Sequence, residues 1–220
     1  MANVVIIGAN RGIGLELAKQ YAVRGDTVIA VCRKASAPLL QVGCEVIEHV
    51  DVSDDQLVDS LAARIPVNQI DTLIHNAGIL KSDTLATINM DTLREHFEIN
   101  TLAPLKTVLA LKSKLAPKSK VGLVTSRVGS IADNSSGNNY AYRVSKTALN
   151  MVGKCLSIDL AADGIAVALL HPGYVRTEMT NGNGLIEPDE SASGLIARMD
   201  DLSLETSGIF IHSSGEVLPW

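Results

Sequence analysis

Short apolar runs alternate with longer amphipathic stretches along the whole chain. Asn3–Ile7 is the first run, and Thr27–Cys32, Cys44–Val50, Ile70–His75, Val121–Ser126, Ile165–His171 and Gly208–His212 repeat the pattern. Each is short, rich in aliphatic and β-branched residues and bounded by turn formers, which predicts strands. Between them, Ile13–Val23, Asp54–Arg64, Met90–Lys114, Asn139–Asp163 and Pro188–Met199 carry apolar residues at helical spacing. Pro104 lies inside the third of these stretches, where its missing N–H should kink or divide the helix. The polar, glycine-rich segments Asp133–Asn139 and Thr180–Gly184 read as loops.

Strands that are apolar throughout need cover on both faces. Their alternation with helices predicts a doubly wound α/β domain, with a central parallel sheet flanked by helices on both sides. No linker, repeat or low-complexity segment interrupts the pattern, so residues 1–220 read as one domain. Ligands bind such sheets beyond the carboxyl ends of the strands, so candidate chemistry lies just after each one.

Composition narrows the picture. Aromatic residues are 3% of the chain and hydrophobic residues 46%, so the core must be aliphatic. A formal net charge of −5 offers no basic face for nucleic-acid phosphates. No apolar stretch of about 18 residues is present to span a membrane. The start, MANVVIIGANRGIG, lacks the basic residues and cleavage site of a signal peptide. Cys32, Cys44 and Cys155 form no CxxC pair. They are expected to be reduced thiols of a cytoplasmic protein, packed as small hydrophobes, and not a disulfide frame or metal site. His75 and His171 end strands with no partner at ligand spacing, so they read as core or cofactor-contact residues.

The first strand runs directly into Gly8-Ala9-Asn10-Arg11-Gly12-Ile13-Gly14. Glycines permit a tight strand-to-helix turn and let backbone N–H groups approach a pyrophosphate, and the helix N-terminus adds a favourable dipole. The spacing is GxxxGxG and not the commoner GxGxxG. The second strand ends in Arg33-Lys34, with no acid to bond a ribose 2′-hydroxyl. Arg33 and Arg11 are expected to form a cationic clamp for a 2′-phosphate, which selects NADP(H) over NAD(H).

Tyr142 and Lys146 stand one helical turn apart and project from the same face. An ammonium beside a phenol favours phenolate and makes the tyrosine a usable acid or base. Tyr140 lies nearly opposite on the helix and cannot share that lysine.

These motifs, with Asp51-Val52, Asn76-Ala77-Gly78, Asn100, Ser126-Arg127-Val128-Gly129, Pro172-Gly173 and Thr177 in order, resemble the short-chain dehydrogenase/reductases of compact, single-domain type. The likeness covers essentially the whole chain and implies a Rossmann fold. The segments Ser126–Asn134, Ala141–Lys146 and Val217–Trp220 resemble the C-factor and sniffer-like carbonyl reductase branch.

The resemblance implies roles. Tyr142 would protonate the carbonyl oxygen of a small substrate as hydride arrives from the cofactor. Lys146 would bond the nicotinamide ribose and lower the tyrosine pKa. Ser126 would orient the substrate oxygen, and Asn100 would hold a relay water. Gly8, Asn10, Arg11, Gly12, Ile13, Gly14, Arg33, Asp51, Val52, Asn76, Ala77, Gly78, Pro172, Gly173, Val175 and Thr177 would complete the cofactor site.

Asp51 has a rival reading as a helix cap near Ser53, and Asn100 as a backbone partner where the helix bends. Ser130 competes with Ser126, because Ser126 stands further before Tyr142 than the family usually places its serine. Residues 174–187 would form a short lid, with glycines as hinges and Tyr174, Met179, Leu185 and Ile186 as an apolar inner face. The family also implies a homo-oligomer, a dimer or tetramer built on the two long helices. The C-factor likeness supplies an alternative function, an NADP(H)-binding signalling or redox-sensing protein with little turnover.

Overall fold

The structure, a computed structural model, describes residues 1–220. Strand β1 (Asn3–Ile7) lies inside the sheet, and Val4, Val5, Ile6 and Ile7 are essentially without solvent contact. It pairs with β2 (Thr27–Val31) on one side and β4 (Ile70–His75) on the other. Strands β3 (Glu45–Ile47), β5 (Leu115–Val124), β6 (Ala166–His171) and β7 (Ile209–His212) complete a seven-stranded sheet in the order β3-β2-β1-β4-β5-β6-β7. Every strand pair is parallel.

Side chains alternate between the sheet faces, and each face has its own core. Val4 and Ile6 pack with Leu17 and Tyr21 of α1 (Gly12–Val23) and with Leu195 and Met199 of α8 (Pro188–Asp201). Val5 and Ile7 pack on the other face with Val108 and Leu111 of α6 (Ala103–Leu111) and Leu149 of α7 (Tyr140–Asp159). This is the doubly wound architecture with an aliphatic core that the patterning predicts.

Several elements differ from the expectation, each for a local reason. Ser36 caps an additional short helix, α2 (Ala37–Leu40), by accepting from the Leu39 N–H. The stretch Asp54–Arg64 is two short helices, α3 (Asp55–Asp59) and α4 (Leu61–Arg64), broken at Ser60, whose hydroxyl bonds the Leu57 carbonyl. Strand β5 starts six residues early, because Leu115 pairs with Ile70 across a register shift. Lys118, at φ 77°, turns the chain within that irregular entry.

The long helix around Pro104 is divided, as the proline implies. It comprises α5 (Met90–Phe97), a π turn at Glu98–Leu102, and α6 with Pro104 in its first turn. Pro104 supplies no N–H to the Asn100 carbonyl one turn back. The π turn holds one extra residue, and Asn100 lies within it, fully buried. At the end of α7 the helix stops at Asp159, and Gly164 (φ 72°) turns the chain into β6.

Candidate active site

A cavity of about 560 Å³ runs along the carboxyl ends of the central strands, from Arg33 and Lys34 at one end to Tyr142 and Lys146 at the other. That lies within the size range of small-ligand sites. Its floor is the turn after β1. Gly8 has φ 84°, and a Cβ there would stand 2.7 Å from the Ala77 nitrogen. Gly14 does not line the cavity; a Cβ on it would stand 2.1 Å from the Gly8 carbonyl oxygen, so its role is to let α1 close onto β1.

Helix α1 begins here with no side-chain cap and no acid in its first turn. Its amides are donors waiting for an anion. The far end of the cavity carries Arg33 and Lys34, both exposed and outside every ion pair of the molecule. A donor-lined turn and free cations at the far end fit a dinucleotide that bears an additional phosphate.

The structure brings most of the sequence-predicted cofactor residues to this cavity: Gly8, Asn10, Arg11, Gly12, Ile13, Arg33, Asp51, Val52, Asn76, Ala77, Gly78, Pro172 and Thr177. Arg11 differs from the expected clamp. It pairs with Glu178, across the mouth from the glycine turn, and not as an open partner of Arg33. Asn10 braces the β2 end instead, its Oδ1 accepting from the Ser36 N–H at 2.5 Å. Asp51 does not cap the following helix; Asp54 does, accepting from the Gln56 and Leu57 N–H groups. Asp51 lines the cavity while accepting from the backbone N–H and hydroxyl of Ser53, and those bonds, with the Arg33 charge, hold its carboxyl below the ordinary range.

Gly173 and Val175 lie behind the wall. Gly173 turns the chain at φ 92°, with Ile186 2.8 Å from where a Cβ would be. Val175 is buried and bridges to Ile186, closing the base of the 174–187 segment. The glycines expected to be hinges divide there. Gly184 permits close backbone approach, because a Cβ would stand 2.5 Å from the Arg176 nitrogen, while nothing lies within 4 Å at Gly182.

The chemical end of the cavity is built from β5, the π turn and α7. Tyr142 and Lys146 share one face of α7, with the Lys146 Nζ 5.8 Å from the phenol ring centroid. Burial pushes the Tyr142 phenol up to about 12, with the neighbouring Ser126 hydroxyl acting in the opposite direction. Burial also pushes the Lys146 amine down to about 7. Its ammonium donates to the Val124 carbonyl at 2.9 Å. Burial, and not the lysine, therefore sets the phenol here, in contrast to the expectation from their spacing.

Ser126 is nearly buried beside Tyr142. Ser130 is committed elsewhere: its hydroxyl donates to the Trp220 carbonyl and accepts from the Asp133 N–H. Asn100 does not line the cavity. Its side chain accepts from the Ile79 N–H and donates to the Ile79 carbonyl and the Ser145 hydroxyl, which ties the strand-β4 loop to α7.

Of the four residues expected on the apolar lid, Met179 lines the cavity; sequence reasoning missed Ile79 and Ile99 as wall residues, and Asp83 and His96 as supports. Ile79 directly follows the Asn76-Ala77-Gly78 motif, a signal that was available. Asp83 and His96 carry no local signal for these roles, because the N–H groups they accept from lie 15 or more positions away.

Comparison with known proteins gives a consistent result. The family model described as short chain dehydrogenase matches residues 2–185. The chain is 43% identical over the full length of both proteins to the 1-hydroxy-2-glutathionyl-2-methyl-3-butene dehydrogenase of Rhodococcus sp. (strain AD45). It is 36% identical to the C-signal protein of Myxococcus xanthus, covering 73% of this chain and 99% of that one. Among solved structures, it matches the carbonyl reductase Sniffer of D. melanogaster with a TM-score of 0.92 at 27% identity, covering 100% of both. The NADPH-bound carbonyl reductase from chicken fatty liver matches with a TM-score of 0.90 at 28% identity, covering 100% of this chain and 99% of that one.

Proposed function

The chain belongs to the short-chain dehydrogenase family, and on that premise we propose that it is an NADP(H)-dependent oxidoreductase that interconverts a small carbonyl compound and its alcohol. The observation that carries this reading is the buried Tyr142 phenol lining a donor-lined cavity, with Lys146 on the same helix face and the nearly buried Ser126 beside it. The uncapped turn of α1 would hold the pyrophosphate, and Arg33 and Lys34 the 2′-phosphate. The bound dinucleotide supplies the hydride.

The remaining steps belong to this chain. The Ser126 hydroxyl orients the substrate oxygen. The Tyr142 phenol, protonated at neutral pH, donates its proton to that oxygen as charge develops there. Lys146 would donate to ribose hydroxyls of the cofactor and stands on the side of the Tyr142 ring where the phenolate forms. Asn100 holds the π turn where a relay water would pass a proton to Lys146. Residues 174–187 close the mouth as a lid, with Tyr174, Met179 and Leu185 exposed for an apolar substrate. The three free thiols fit a reducing cytoplasm, and no helix is long and apolar enough to cross a membrane.

The test is NADPH oxidation against aldehydes, ketones and quinones, with NADP⁺ reduction by a thioether-bearing alcohol as the reverse arm. Tyr142→Phe is expected to lower turnover by about 10²–10⁴-fold, the usual range for a positioned acid. Activity that survives this change would overturn the mechanism. The likeness to C-signal supports a second reading, an NADP(H)-binding signalling protein. NADPH binding without turnover on any arm would favour it.

A further inference from the structure

Helix α7 carries both Tyr142 and Lys146, yet it starts without a cap of its own. Asn139 stands at the cap position in the left-handed region (φ 50°, ψ 43°), and its side chain makes no capping bond. The first turn contains no acid. An α-helix leaves its first N–H groups without partners, and burying them unpaired is costly.

A residue from another element supplies the partners. The carbonyl of Asp83 accepts from the Asn139 N–H at 2.8 Å. Its carboxylate accepts from the Tyr140 N–H at 2.6 Å and the Ala141 N–H at 3.0 Å. Three consecutive amides leading into Tyr142 thus end on one residue, which is 7% exposed. The positive end of the helix is the charge this carboxylate faces.

The loop that delivers Asp83 is itself fixed at alternate residues. Asn100 takes both backbone groups of Ile79. His96 accepts from the Lys81 N–H through Nε2 at 3.0 Å, while its Nδ1 meets the Thr92 carbonyl at 2.8 Å. The same imidazole stands edge-on to the Tyr142 ring, with centroids 6.4 Å apart. Ile79 lines the cavity. The substrate wall and the start of the catalytic helix are therefore one connected unit.

We propose that Asp83 is the positioning residue of Tyr142, an N-cap supplied from the loop after β4 that holds the phenol in register with Ser126 and the cavity wall. This rests on the functional reading above. Its scope is the placement of the tyrosine and not cofactor binding, since no bond of Asp83 reaches the nucleotide end.

The test compares Asp83→Ala with Asp83→Asn and Asp83→Ser, both of which retain a capping oxygen. Displacement of a reacting group by about 1 Å costs about 10²-fold, so Asp83→Ala is expected to lower kcat by about 10- to 100-fold. NADPH affinity, read by fluorescence titration, stays within about twofold, and Asn or Ser restores most of the rate. In a Tyr142→Phe background, Asp83→Ala is expected to change the residual rate little, because the two substitutions remove one function.

A kcat within about twofold of wild type in folded Asp83→Ala, or an equal loss in the Tyr142→Phe background, would overturn the proposal. If the alanine variant does not fold, the asparagine and serine variants carry the same comparison against Tyr142→Phe. If wild-type protein reduces no carbonyl, the functional reading has failed separately. The cap is then read by hydrogen exchange: the Tyr140 and Ala141 amides should exchange at least tenfold faster in Asp83→Ala relative to core-strand amides, and equal protection would overturn it.

Discussion

Lys146 is a buried amine whose hydrogen-bond acceptor is the Val124 carbonyl, and one carbonyl only partly replaces the water an ammonium loses. With its pKa pushed down to about 7, it is a mixture of forms near neutral pH. A polyanionic dinucleotide with hydroxyl acceptors favours the charged form. Binding should therefore take up protons near and above pH 7, and NADPH affinity should weaken as pH rises past 7. Calorimetric titration between pH 6 and 9 checks this; Lys146→Met should lose the dependence, and a flat wild-type profile would contradict it. Ser126 and Ser130 separate at the same scale. Ser126→Ala should cut turnover by about 10²-fold or more with NADPH binding intact, as loss of an oxyanion donor does. Ser130→Ala, which disturbs a contact with the Trp220 carbonyl, should do much less.

At the scale of elements, α6 and α7 present apolar side chains outward. Leu109 on α6 and Val144, Met151 and Ile158 on α7 are between 45% and 65% exposed, more than a solvated helix face requires. We propose that these faces pair between copies of the chain. Met151→Arg is expected to shift the mass in solution toward the monomer by light scattering, and a monomeric wild type would remove the idea. What the sequence conveyed about elements follows the range of the interactions that make them. The turn after β1 and the Tyr142–Lys146 pair depend on neighbours a few residues apart, so spacing alone locates them. Pro104 announced a break in its helix, but only the packed structure shows that the break is a π turn centred near Asn100. The Ser60 break and the early start of β5 depend on one hydroxyl and one strand partner, and neither leaves a periodic trace. Asp83 was invisible for the same reason: its partners lie 57 and 58 positions away.

For the molecule as a whole, buried histidines couple stability to pH. His75 is fully buried with neither ring nitrogen partnered, and burial, with the Lys146 charge, pushes it down to about 3. Burial and the neighbouring His212 and Arg127 push His171 to about 3 as well. Both pKa values lie below the unfolded value of about 6.5, so between these limits the unfolded chain binds more protons than the folded one. Stability should fall as pH drops below about 6.5, by about 1.4 kcal/mol per pH unit for each histidine. Urea unfolding at pH 7, 5 and 4 measures the slope, and His75→Asn should reduce it by about one proton. The cap on α7 has a consequence in the order of folding. Its first turn has no local partner, and the residue that completes it arrives only when the chain after β4 has been laid against the sheet. The catalytic helix can nucleate further along, but its business end is ordered by a long-range contact and late in assembly. A nascent or partly unfolded chain is therefore expected to lack a placed tyrosine until the sheet is built, which would make competence for reaction a report on completed folding.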